Sequence, residues 1–127
     1  MDYNSTSLTG KSLEPTHKKG KHFISGEGNF FTIVNEDSAQ RSFTNSGICD
    51  VKLNKASTAI TINHYSTKII LSGLNLSSLY NNLLSFNVSH IYLGFIEENG
   101  KGQVYTVTNV MYMDEVENSK KAFSWTE

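Results

Sequence analysis

The stretch 58–86, TAITINHYSTKIILSGLNLSSLYNNLLSF, decides the fold. Its first half alternates: Ile60 and Ile62 fall on one face of a strand, Thr61 and Asn63 on the other. HYST then reads as a turn and KIILS as a return strand, so 58–72 is predicted to be a hairpin. After Gly73 the period changes from two to 3.6. Leu76, Leu79, Tyr80, Leu83 and Leu84 stand at i, i+3, i+4, i+7 and i+8, one apolar stripe on a helix over 76–86. Asn75 suits the N-cap, Leu74 and Leu79 have hydrophobic-staple spacing, and Asn87 suits the left-handed residue that ends a helix. A hairpin running directly into one amphipathic helix makes this an α+β chain.

Working outward, strands dominate on both sides. Upstream, NFFTIV (29–34) is aromatic and β-branched, followed by the polar turn NEDSAQ. RSFT and ICDVKL form a second strand region broken around Asn45-Ser46-Gly47. Downstream, VSHIYLGFI (88–96) is a nearly continuous apolar strand. The acidic turn EENGKG joins it to QVYTVTNVMYM (103–113), and the two are expected to pair as a C-terminal β-hairpin. The fold class is therefore α+β: a mostly antiparallel sheet, sandwich or half-barrel, with one central helix and a closing hairpin. Strands apolar on both faces are usually covered twice, and one helix cannot do that alone. A second sheet layer, an arm or another copy must supply the rest.

The ends differ in character. Residues 1–21 have four lysines against two acids and no apolar period, and read as a polar, basic arm. Residues 22–115 are the single domain, and 116–127 a tail or docking strand in which Phe123 and Trp125 stand at period two. A length of 127 residues suits one domain, not two. Charged residues make up only 18%, below the usual ~25%, and Asn, Ser and Thr fill the difference. A net charge of −1 provides no global field toward nucleic acid or anionic membrane. No apolar run suggests a signal peptide or membrane helix, so the expected location is cytoplasmic. The lone Cys49 excludes an intramolecular disulfide.

Gly10-Lys11-Ser12 ends like a phosphate-binding loop, but the glycine such a loop needs five positions earlier is Ser5. No buried strand precedes it and no helical stripe follows. Cys49-Asp50 lacks a histidine placed by sequence to activate the thiol, so a buried, inert Cys49 is expected. The acid pairs Glu36-Asp37, Glu97-Glu98 and Asp114-Glu115 read as solvated turn residues. No ligand spacing links Asp50, Glu97 and Asp114 to the histidines as a metal site. HKKGKH (17–22) reads as a solvated or partner-facing basic patch, with too few aromatics for a nucleic-acid stacking platform. His64 and His90 read as polar-face or hydrogen-bonded core residues.

No catalytic residue, cofactor or metal is therefore expected. The leading expectation is a non-catalytic interaction or structural module that self-associates or packs into a larger protein assembly. Lys18, Lys19 and Lys21 of the arm, with Tyr112, Phe123 and Trp125, are the candidate partner-binding residues, because Tyr and Trp combine large contact area with a polar tip. The alternative is a monomeric small-ligand-binding or inhibitor protein whose pocket, between sheet and helix, is lined by His64, Tyr80 and His90.

Overall fold

The hairpin at the centre of the sequence is the centre of the structure. A computed structural model describes residues 18–114. Strand β6 (Ala59–His64) pairs with β7 (Thr67–Leu74) across the two-residue turn Tyr65-Ser66. Ile60, Ile62, Ile69 and Leu71 are fully buried, as the alternation requires. On one side of the hairpin lies β5 (Ile48–Leu53). On the other lies β10 (Val104–Asp114), followed by β9 (Phe95–Glu98) and the short β1 (Lys18–Lys19). The order of this six-stranded sheet is β1-β9-β10-β7-β6-β5. All its neighbours are antiparallel except β1 and β9.

A second sheet has the order β2-β8-β3-β4, from β2 (Phe23–Ser25), β8 (Val88–Tyr92), β3 (Phe30–Val34) and β4 (Gln40–Thr44). It supplies Phe31, Ile33, Phe43, Val88 and Ile91 to the same buried cluster that the first sheet fills from its inner face. The molecule is thus an α+β fold of two open, largely antiparallel sheets sharing one core. No closed barrel forms among the described residues. Helix α1 (Ser77–Leu84) packs against β5 and β8, adding Leu79 and Leu83 to the core. The second sheet is the cover that the inner apolar face required.

Three local expectations need correction. The apolar run 88–96 is two strands. Tyr92, Leu93 and Gly94 donate their N–H groups in turn to His22, Val34 and Val107, carrying the chain from the smaller sheet to the larger. Gly94 makes this turn at φ +84, where a Cβ would also strike Glu36. The helix is shorter than 76–86, and its ends use other residues. Asn75 has φ +55 and its amide donates to the Val104 carbonyl at 2.6 Å, so it tethers the helix entry to β10 instead of capping. Leu74 is half exposed in β7, which leaves no staple. At the other end Phe86, not Asn87, takes the left-handed conformation. Phe86 N–H donates to Leu83 and Asn87 N–H to Asn82, the two bonds of a Schellman ending. The stripe is narrower too, because Leu84 is half exposed.

No helix among the described residues is long and apolar enough to cross a membrane. The chain before Lys18, including Gly10-Lys11-Ser12, lies outside the described residues, as do Phe123 and Trp125.

Candidate functional site

Two surface features combine exposed recognition groups with a buried floor. The first is the end of the sandwich where β4 and the β6–β7 turn meet. In β4, Phe43 points inward and stacks on Phe31 (5.4 Å between ring centroids) and on Tyr112 of β10 (5.9 Å). His64 meets Phe43 edge-on at 5.1 Å. Its Nε2–H donates to the Thr44 carbonyl at 2.8 Å, which sets the tautomer because a carbonyl only accepts. Gly47 is required beneath it, since a Cβ there would run into the His64 and Tyr65 rings.

Over this floor the Arg41 guanidinium lies 4.3 Å from the Tyr112 ring centre and 4.9 Å from that of Phe43. Such stacking is worth about 0.5–1 kcal/mol at an exposed site. Arg41 has no carboxylate partner among the described residues. Burial raises the Tyr112 phenol above its ordinary range, against the opposing pull of Arg41, so the hydroxyl stays protonated. Phe30 and Tyr65 stand at the walls, 55% and 66% exposed, of a cleft of roughly 430 Å³. β4 has a strand partner on one edge only among the described residues.

The second feature lies at the opposite edge. His22, read from sequence as part of a solvated or partner-facing basic patch, is 3% exposed. It sits where the chain leaves β1 for β2, between Phe23 edge-on and Tyr105 stacked at 5.9 Å. Its Nδ1 lies 2.9 Å from Glu97 Oε1. Glu97, itself partly exposed, is therefore a strand residue paired with a buried histidine and not a solvated turn acid. Desolvation lowers the His22 pKa below 6.5, while the hydrogen bond and charge of Glu97 pull it up. The neutral ring donates Nδ1–H to the carboxylate and leaves Nε2 as a bare acceptor. Nε2 is buried without a partner among the described residues, a standing cost of about 1–3 kcal/mol. His22, Glu97, Lys21, Ile24, Ser25 and Tyr105 belong to the lining of a cleft of roughly 470 Å³.

The residues singled out from sequence are dispersed. Lys18 and Lys19 form β1 on the edge of the larger sheet, and Lys19 and Lys21 border a shallow cleft beside Ile96 and Glu98. Tyr112, in β10 two strands from β1, belongs to the aromatic end and lines neither cleft that Lys19 or Lys21 borders. His64, Tyr80 and His90 are not gathered. His64 is in the aromatic floor, His90 bonds Ser89 and stacks on Tyr92, and Tyr80 is a half-buried helix residue against the core. Cys49 is exposed, not buried, because a register shift between Ile48 and Asp50 turns it outward. Arg41, Phe30 and the His22–Glu97 pair escaped sequence reasoning. Glu97 is 75 residues from His22, and no spacing rule joins them. No family model matches the chain, and neither a curated protein nor a solved structure matches it.

Proposed function

We propose that the chain is a non-catalytic interaction module that associates with further copies of itself through its aromatic end. The observation that carries this reading is the pair of exposed aromatics, Phe30 and Tyr65, flanking a cleft above an Arg41 guanidinium that lacks an acid partner among the described residues. Aromatic anchors beside an arginine are the side chains in which binding energy concentrates at protein interfaces. The edge of β4 that is unpaired among the described residues adds a row of backbone groups able to accept an extended strand.

The occupant proposed is the segment 115–127 of a neighbouring copy. Asp114, where β10 ends, pairs with Thr67, and Thr67 lines the cleft. The following sequence, EVENSKKAFSWTE, carries acids for Arg41 and, at period two, Phe123 and Trp125 as anchors. Thirteen extended residues reach up to roughly 43–47 Å, enough to cross to a neighbour.

Light scattering behind size exclusion, over a range of concentrations, tests this. The full chain is expected to associate. Tyr65→Ser combined with Phe30→Ser, and separately deletion of 116–127, are expected to return it to monomer with unchanged circular dichroism. A full chain that stays monomeric at high concentration, or association indifferent to both changes, overturns the proposal.

A further inference from the structure

We propose that Asn99 is a self-modifying residue: the turn that holds it promotes loss of its amide nitrogen through attack by the backbone nitrogen of Gly100, independently of the self-association proposed above. Asn99-Gly100 lies in the turn between β9 and β10. Glycine after asparagine offers the least steric resistance to such an attack, because it has no Cβ. Gly100 is exposed, no atom lies within 4 Å of where its Cβ would be, and its N–H has no acceptor among the described residues. The Asn99 side-chain oxygen accepts N–H groups from Lys101 at 2.8 Å and from Gln103 at 3.0 Å. A backbone N–H only donates, so these two bonds fix which carboxamide atom is the oxygen. The bond to Lys101 closes a ring of the Asx-turn type. That ring contains both Asn99 Cγ and the Gly100 nitrogen, and the new bond forms across it.

Hydroxide first takes the Gly100 N–H proton. The nitrogen pair attacks Asn99 Cγ, a C–N bond forms, and the carbonyl π pair moves onto Oδ1. The negative charge that develops there meets two N–H donors already at the roughly 2.7–3.1 Å of an oxyanion hole. The pair then returns, the Cγ–Nδ2 bond breaks, and Nδ2 leaves as ammonia. In the tetrahedral intermediate Nδ2 is an amine with a lone pair, and it needs a proton to leave. Nδ2 lies 3.2 Å from the Tyr105 hydroxyl, which turns from Gln103 Oε1, 3.1 Å away, to supply that proton as a general acid and regains it from solvent. Water opens the resulting succinimide at Cγ to give aspartate, or at the main-chain carbonyl to give isoaspartate. The Gln103 carboxamide, which now accepts from Nδ2 at 2.8 Å, turns over to donate to the aspartate product. A new negative charge then stands in the lining of the cleft that Lys21 and Glu97 share. Asn54 is the internal comparison. Its oxygen also accepts two backbone N–H groups, from Thr58 at 2.8 Å and Ala59 at 3.0 Å. Lys55 follows it, however, and its Cβ crowds the attacking nitrogen.

The test incubates the full chain, and separately a synthetic peptide of residues 97–103, in the same neutral buffer. Peptide mapping by mass spectrometry follows the one-dalton gain at position 99. Asn99 is expected to convert at least threefold faster in the native chain than in the peptide, while Asn54 stays intact over the same period. Gly100→Ala is expected to slow conversion at least tenfold. Gly100 does not hold a positive φ and has open space around it, so that variant folds. Tyr105→Phe, which keeps the ring, is expected to slow conversion at least threefold. Conversion no faster in the native chain than in the peptide, or as fast in Gly100→Ala as in the parent, would overturn the proposal. A rate unchanged by Tyr105→Phe would overturn the part assigned to the phenol.

Discussion

At the scale of single residues, environment reverses what residue type suggests. Cys49 is an apolar-leaning side chain held outward by a one-residue register shift, with only a long contact of 3.7 Å from Sγ to the Gly47 carbonyl. It is expected to react with iodoacetamide stoichiometrically in the native protein. A thiol that reacts only after denaturation would contradict this placement. His22 is the converse, a polar side chain held inward. Its pKa is lowered in the folded state, chiefly by desolvation, so the unfolded chain takes up the proton first as pH falls. Stability from a neutral His22 is therefore complete above about pH 6.5 and declines as pH drops toward the folded-state midpoint. The imidazole is expected to titrate with a midpoint below 6.5, and a midpoint at or above that value would mean that Glu97 outweighs burial. His22→Gln is expected to flatten the loss of urea stability between pH 7.5 and 5.5.

At the scale of elements, the backbone does what the side chains alone do not announce. Gly73 lies inside β7, opposite the bulge between Val107 and Asn109 in β10. A Cβ there would overlap the Thr106 carbonyl, a backbone atom that cannot turn aside. Gly73→Ala is therefore expected to destabilise by about 1–3 kcal/mol or more, read as a fall in the urea midpoint. The end of α1 offers the opposite sign. Phe86 holds φ +55 with its ring half exposed, in a conformation costing a non-glycine residue about 1–2 kcal/mol. Glycine there forgoes that strain but gains about 0.5–1 kcal/mol of unfolded-chain entropy cost. Phe86→Gly is expected to stabilise by about 0.5 kcal/mol, measured by the same denaturation. A clear loss would show that the Phe86 ring contributes more by packing than its backbone costs.

At the scale of the whole molecule, both sheets and the helix feed one buried cluster. The protein is expected to unfold in one cooperative step, with fluorescence and far-ultraviolet circular dichroism changing together. Leu79 is fully buried on the helix face toward the strands. Leu79→Ala is expected to cost about 2–5 kcal/mol while leaving the transition single. Separate transitions for helix and sheets would contradict a shared core.

What the sequence by itself determined is local and periodic. The alternation around Ile60 and Ile62, the change of period after Gly73, and the turn residues at 65–66 and 99–102 specify strands, one helix and an α+β class, because these patterns depend on neighbours within a few positions. The tertiary structure alone decided the rest. Whether 88–96 was one strand or two depended on which sheet could accept the N–H groups of Leu93 and Gly94, and those acceptors, Val34 and Val107, lie far off in sequence. Likewise His22 became a buried acceptor because Glu97 and Tyr105 close around it, and Arg41 became a fixed cation because Tyr112 lies beneath it. Local spacing reads off a period, but burial and pairing across the core are set by packing between segments that no period connects.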